Sequence, residues 1–222
     1  METMDTKGRI LETAFKLFLK KGFDNVSVTE IKQESNITTG GFYHHFDSKE
    51  ALLIEVIDKY IFKFFNRTIE RVKTCNGTPR EKLKTIISQI IIGYDSTTNQ
   101  VTQLCETCEV IDYRNLHMLY LGSIQNYDIL AERYTEFHLS LMEFIEDIIN
   151  EGKAQGEIRK DLDSHELSIF VQSVIDGTFL MWIAVPQLPL EKTMQSNIDQ
   201  VWDHMNHMNR VPPINNIKTG KC

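Results

Sequence analysis

"SVTEIKQESNITTGGFYHHFDSKEALL", Ser27 to Leu53, carries two adjacent glycines, a Tyr-His-His-Phe cluster and a Lys-Glu pair in one short run. Ser27 is a helix-capping residue, and Glu30 three positions on completes a capping box. The helix so opened ends near Ser35-Asn36, because asparagine tolerates the left-handed backbone of a sharp turn better than other non-glycine residues. Thr38 caps a second short helix, whose apolar Phe42 and Phe46 stand four apart. Ser48 then caps a long helix through Ala51, Leu52, Val56, Ile57, Tyr60, Ile61, Phe64 and Phe65 to about Thr74. Upstream, Ile10, Leu11, Ala14, Phe15, Leu17 and Phe18 follow the spacing of an amphipathic helix from about Lys7 to Lys20, stopped by Gly22.

Two short helices joined by a tight turn and propped by a longer first helix match the helix-turn-helix plan, whose last helix enters the DNA major groove by its N-terminal end. Thr38, Thr39, Gly40 and Gly41 are small or polar where such a helix meets base edges. Two glycines cost a helix about 1 kcal/mol each, so close approach to another backbone is a reason to have them. Tyr43, His44 and His45 offer hydroxyl and imidazole groups to phosphates. Lys49 in a helix's first turn opposes the helix dipole, which a phosphate held between the ammonium and the helix N-terminus would explain. The same residues also fit a plain helical hairpin with surface histidines.

The stretch "ILETAFKLFLKKGFDNVSVTEIKQESNITTGGFYHHFDSKEALL" resembles the DNA-binding head of TetR-family transcriptional repressors. The likeness lies in A-x-x-L-F-x-x-x-G-F of the first helix, Thr29 and Ile31 of the second, and G-x-F-Y-H-H-F-x-S-K-E-x-L thereafter. "INEGKAQGEIRKDLD" and "VIDGTFLMWIA" look like the family's late helices. The resemblance implies a homodimer that binds a near-palindromic operator on double-stranded DNA and releases it when a small molecule enters the body. It puts Thr29, Thr38, Thr39, Gly40 and Gly41 at bases and Ser27, Tyr43, His44, His45 and Lys49 at phosphates. Three positions depart from the pattern. Lys32 stands in place of a small alanine and must send its ammonium outward. Asn36 replaces a turn glycine. Gly41 replaces a side chain that commonly touches a base, which shifts readout toward Thr39, His44 and DNA shape.

The rest of the chain also reads as helix. Pro79 suits the first turn of a helix reaching Tyr94. Weakly patterned helical sequence covers Val101 to Leu121, and a long helix follows from about Asp128 to Asn150 or beyond. Ser164 caps a helix spanning Glu166 to Ala184, and a last one covers about Glu191 to Met208. The expectation is an all-α fold of about nine helices: a head in residues 1–50, a ligand-binding and dimerisation body in 51–210, and a flexible tail in 211–222.

The last two long helices carry apolar residues on more than one face, including Phe170, Val174, Thr178, Trp182, Ile198, Trp202 and Met205. A two-fold four-helix bundle between protomers would bury both faces. The middle helices supply Phe62, Phe65, Tyr94, Tyr113, Met118, Tyr120, Tyr134, Phe137 and Met142, fit to line a pocket for an apolar or aromatic effector or simply to fill a core.

Cys105 and Cys108 form a lone C-x-x-C that a thiol- or metal-responsive repressor could use, with His117 and His138 as further ligands, or that merely packs. His204 and His207 read as a helix face. A lone C-x-x-C is a weak signal and packing is the expected role of both motifs, so no metal site is named and no cofactor is expected. Absence of a phosphate-binding glycine loop, a nucleophile elbow or H-E-x-x-H leaves no candidate catalytic centre, so no enzyme is expected.

The net charge is −7, and residues 1–50 hold seven Lys or Arg against eight Asp or Glu. The acidic excess lies in the body, and Lys7, Arg9, Lys16, Lys20 and Lys21 face only Glu12 along the first helix. A polyanion would be drawn to the head. No apolar run of about 18 residues suggests a membrane span, and "METMDTKGRI" has no export-signal core, so a cytoplasmic protein with free thiols is expected. A reading from another class is a helical protein–protein module that keeps the head shape without binding DNA.

Overall fold

The computed structural model describes residues 5–74, 76–91, 94–95, 100–101, 111–185 and 187–206. The first helix, α1 (Thr6–Lys21), is capped by Asp5, whose side chain accepts from Gly8 N at 2.6 Å, and it stops at Gly22 with φ 79°. A left-handed backbone there is open to glycine at little cost. α2 (Val28–Glu34) starts on Ser27, whose hydroxyl oxygen accepts from Glu30 N at 3.1 Å. Asn36 takes φ 53° in the turn that follows, as the sequence pattern required. α3 (Thr39–Tyr43) is capped by Thr38, which accepts from Gly41 N at 3.1 Å.

Ser48 caps α4 (Lys49–Ile57), which passes through a π-helical turn (Asp58–Phe62) into α5 (Lys63–Lys73) without a break in direction of chain. α6 (Pro79–Ile91) follows, with Thr78 and Glu81 capping each other at its start. It ends three residues before Tyr94. Tyr94–Asp95 (β1), Gln100–Val101 (β2) and Ile111–Asp112 (β3) instead form a small antiparallel sheet, in which Tyr94 pairs with Val101 and Gln100 with Asp112. Val101, expected at the start of a helix, therefore lies in a strand, and Tyr113 opens the next described helix. Tyr94, Val101 and Ile111 favour extended backbone, and without a helical stripe in that region nothing opposes the preference.

The body is completed by α7 (Tyr113–Asn126), α8 (Asp128–Gln155), α9 (Ser164–Ala184) and α10 (Leu190–Met205). Asp163, not Ser164, caps α9, accepting from Glu166 N at 2.8 Å. Ser164 is used elsewhere: its hydroxyl donates to Asn150 Oδ1 and accepts from Lys153. α10 ends at Met205 rather than Met208. Residues 207–222, including His207 and the tail expected from 211, lie outside the described residues.

α9 packs on both α8 and α10. It is long and apolar enough to cross a membrane by composition, with 21 residues and mean hydropathy 1.6 over its most apolar window. Burial against two neighbours gives a core helix that same composition. Buried side chains run in one cluster from Ile10 through Phe42, Leu52, Ile57 and Tyr60 to Ile145, Trp182 and Met205. The head is thus welded to the body through α4. Phe15 of α1 stacks on Tyr60 of the π turn at 4.3 Å between ring centroids, 5° from parallel.

Candidate nucleic-acid interface and internal cavity

The head presents α3 outward. Thr29, Thr38, Thr39, Gly40, Tyr43 and His44 are exposed, while Gly41 and His45 are half-buried. Phe42 beneath them is fully buried and anchors the short helix to the core. A methyl group at Gly40 would meet nothing within 4 Å beyond its own helical turn, and its backbone is not left-handed. Nothing inside the chain therefore asks for glycine there. At Gly41 a methyl group would come within 3.3 Å of Thr38 Oγ1, a tight but local contact. Ser27 and Thr38 spend only an acceptor lone pair on capping, so each keeps a hydroxyl proton for a phosphate oxygen.

Lys32 is half-buried, and its ammonium reaches out of the packing to donate to Thr39 Oγ1 at 2.8 Å. The outward stem expected from the sequence is therefore found. Its consequence was not expected: a cation stands on the face that carries Thr39.

Lys49 is a correction. Its ammonium donates to the carbonyls of Phe23 at 3.0 Å and Val26 at 2.9 Å, and lies 4.2 Å from the Phe23 ring centroid. The residue ties the α1–α2 turn to α4, and this internal role accounts for a cation that opposes the helix dipole. The lysine run of α1 is also less free than its sequence suggests. Lys7 pairs with Glu55 at 2.7 Å, Lys16 with Glu12 at 2.8 Å, and Lys21 with Glu30. Glu55 and Glu30 lie on other helices, which a search along α1 alone does not see.

In the body, α7, α8 and α9 enclose a cavity of about 210 Å³. Tyr134 and Phe137, both expected at a pocket, line it, as do His117, Tyr120, His138, Gln172, Asp176 and Phe179. Phe62 stands behind the wall, 5.7 Å from the Tyr120 ring. Met118 is 56% exposed and faces a separate crevice between head and α7. The side chains of Phe65, Tyr94 and Tyr113, and the whole of Cys105 and Cys108, lie outside the described residues. Among the described residues no cluster of His, Cys, Asp and Glu could hold a metal ion.

The polar side of the cavity is a connected cluster. Gln172 Nε2 donates to both Asp176 oxygens at 3.0 Å and lies 3.2 Å from His138 Nδ1. The rings of Tyr134 and His138 are 4.1 Å apart, and those of Tyr120 and Tyr134 5.3 Å. Burial pushes the Asp176 carboxyl above its ordinary range, against the hydrogen bonds from Gln172 and the nearby His138. Burial also lowers His138, against the pull of Asp176. The tyrosines Tyr120 and Tyr134 are raised by burial and then by the Asp176 charge. Burial thus favours the neutral form of His138. Sequence reading named His138 only as a conceivable metal ligand and passed over Gln172 and Asp176. Their spacing, i and i+4 on α9, was the available signal.

The residues expected at a dimer face divide. Trp182, Ile198, Trp202 and Met205 are at most 2% exposed, and Thr178 is buried with its hydroxyl accepting from Asn197 at 2.9 Å. A side chain covered by its own chain has no surface to give a second copy, so these five belong to the core between α9 and α10. Phe170 is 45% exposed and Val174 half-buried. Met181 lines the same groove toward α10 as Phe170 and Val174 and is exposed, whereas the exposed Leu180 lines the cavity.

Residues 10–56 match the family model described as bacterial regulatory proteins of the tetR family. The HTH-type transcriptional regulator YuxN of Bacillus subtilis is 34% identical over 151 residues, which cover 63% of this chain and 52% of that protein. The chain thus spans about half the length of that relative. The fatty acid metabolism regulator protein of Bacillus subtilis is 24% identical over 177 residues, covering 79% of this chain and 82% of that one. Among solved structures, the transcriptional regulator FadR of Bacillus subtilis in complex with stearoyl-CoA superposes with TM-score 0.63 at 21% identity, over 87% of this chain and 96% of that one. A tetR-family match over the helices that form the head, regulators of transcription among the relatives and a shared, mainly helical fold agree: the head, residues 10–56, is that of the tetR family of bacterial regulatory proteins.

Proposed function

We propose that the protein is a homodimeric DNA-binding repressor in the cytoplasm, which leaves a near-palindromic operator when a small molecule occupies the α7–α8–α9 cavity. One observation carries the DNA reading. Gly40 sits exposed on α3 with free space around it and no left-handed backbone to require it. An external surface that approaches the backbone explains what no internal contact does. Thr38, Thr39, Tyr43, His44 and the Lys32 ammonium surround that point with donors for bases and phosphates.

The dimer reading rests on α9. Its exposed Phe170 and Met181 line, with Val174, Gly177 and Thr178, a groove of about 630 Å³ between α9 and α10. A second copy of the same face would cover it in an isologous contact. Two heads held in this way would address half-sites roughly 34 to 36 Å apart.

Release requires that the ligand bind better to a head spacing that misfits the operator. A contiguous route exists for that coupling. Tyr134 touches Tyr120, Tyr120 touches Phe62, Phe62 belongs to the π turn, and Tyr60 of the same turn stacks on Phe15 of the head. Arg133 of α8 is ion-paired with Asp58 at the start of the turn. Displacing the cavity wall therefore acts on a helix segment that is already irregular.

Selection of bound sequences from a random DNA library at two salt concentrations tests the reading. Recovery of a near-palindrome with affinity falling steeply in salt is the expected result. No enrichment at either salt overturns it in favour of a helical interaction module.

A further inference from the structure

The geometry points to a protonated amine with an apolar body as the ligand of the α7–α8–α9 cavity, its ammonium held by Asp176, Gln172 and Tyr120. This rests on the cavity being the effector site. The cavity has one carboxylate, and none of its lining side chains is Lys or Arg. The two side chains nearest its oxygens do not offset it: Gln172 is an amide, and burial lowers the pKa of His138. The negative charge of Asp176 thus has no Lys or Arg partner among the described residues lining the cavity.

Two buried polar atoms there have no hydrogen-bond partner among the described residues. Tyr120 is 9% exposed and its hydroxyl oxygen bonds to nothing, and Gln172 is 6% exposed with Oε1 in the same condition. The orientation of the Gln172 amide is fixed by chemistry. Nε2 must face the two acceptor oxygens of Asp176, which leaves Oε1 as an open acceptor. Buried acceptors without partners are expensive to keep in a finished fold. A ligand that brings N–H donors and a positive charge satisfies Oε1, the tyrosine oxygen and the carboxylate together.

The other walls are aromatic and aliphatic. Tyr134, Phe179 and Phe137 give ring faces, which attract an organic cation and its apolar body alike. A carboxylate ligand would meet Asp176 with like charge, and a neutral alcohol would leave that charge uncompensated. A quaternary ammonium carries the charge but no N–H, so Oε1 of Gln172 and the Tyr120 oxygen would stay unpaired. The Asp176 side chain is 47% exposed, which puts it at the mouth, where a charged ligand enters.

Calorimetric titration of the full chain with 2-phenylethylamine, 2-phenylethanol, phenylacetate and trimethyl(2-phenylethyl)ammonium tests this, with thermal shift as a second readout. The amine is expected to bind and to raise the melting temperature. The alcohol and the quaternary ion are expected to bind roughly tenfold or more weakly, the size of one lost charge-assisted hydrogen bond. Asp176→Asn, which keeps the shape of the side chain, is expected to lower amine affinity by a similar factor. Gln172→Leu is expected to narrow the gap between amine and quaternary ion. Equal affinity for alcohol and amine, equal amine affinity in the wild type and Asp176→Asn, or no heat with any of the four compounds overturns the proposal. None of these titrations contains DNA, and the library selection contains no ligand, so failure of one does not imitate failure of the other.

Discussion

Replacing Gly40 by alanine separates what the glycine does for the fold from what it does for binding. The added methyl group meets nothing within 4 Å beyond its own turn, and the backbone there is not left-handed. Steric cost inside the chain is therefore close to zero. Alanine gains up to about 1 kcal/mol over glycine in a helix interior. α3 is only five residues long and Gly40 is in its first turn, so roughly half of that is expected. For a domain of this size the melting temperature should rise by about 1 to 2 °C. On DNA the same methyl group stands where α3 faces the groove. Holding α3 away by a few tenths of an ångström loosens hydrogen bonds worth about 1 kcal/mol each. Two heads in a dimer double the loss, to about 2 kcal/mol or roughly thirtyfold in affinity. Thermal denaturation and titration of a selected operator measure the two effects separately. A rise in melting temperature with unchanged operator affinity would refute the argument that glycine is there for close approach.

Lys49→Met removes two hydrogen bonds to the α1–α2 turn while keeping the stem, and should destabilise the protein by about 1 to 3 kcal/mol. Because the ammonium is committed to carbonyls, the slope of log affinity against log salt should stay the same; a decrease by about one per head would restore Lys49 as a phosphate contact. Gly152→Ala should destabilise despite its better helix propensity, by about 1 to 3 kcal/mol, since the methyl group would lie 2.7 Å from Cδ1 of the fully buried Ile158; chemical denaturation checks it, and a stability gain would mean that Ile158 gives way freely. Phe170→Asp with Met181→Asp should turn a dimer into a folded monomer by sedimentation, because both side chains are half-exposed on α9; an unchanged dimer would place the interface elsewhere. Asp176→Asn should be more stable than the wild type at pH 7. The folded pKa of Asp176 lies above its ordinary 3.8, so its contribution is fully present below 3.8 and lost as pH rises. The difference in melting temperature between variant and wild type should shrink as pH falls from 7 toward 4, and a difference that widens would contradict the sign.

The head was legible in the sequence because its determinants are local. Ser27, Thr38 and Ser48 each cap the helix that follows within three residues, and Asn36 and Gly22 each supply a positive φ at a fixed place in the turn. Helix periodicity placed Ile10, Phe15, Phe42 and Phe46 in the core for the same reason, since one face of a short helix is decided by spacing alone. What spacing does not carry is which element meets which. Lys49 looked like a phosphate ligand because Phe23 and Val26, whose carbonyls hold it, lie more than twenty positions away. Lys7 and Lys21 looked unpaired because Glu55 and Glu30 are on other helices. Trp182, Ile198, Trp202 and Met205 looked available to a partner because an apolar face needs cover but does not name its source, and α9 and α10 cover each other. The cavity cluster shows the limit most clearly. Gln172 and Asp176 are one helical turn apart in sequence, yet they acquire chemical meaning only when tertiary packing brings His138 and Tyr134 of α8 and Tyr120 of α7 together with them, burying Gln172 and part of Asp176. Desolvation and partnership across helices are properties of the assembled layers, so the sequence by itself determined the helices and the head, and the tertiary structure alone decided which polar groups are spent and which remain open.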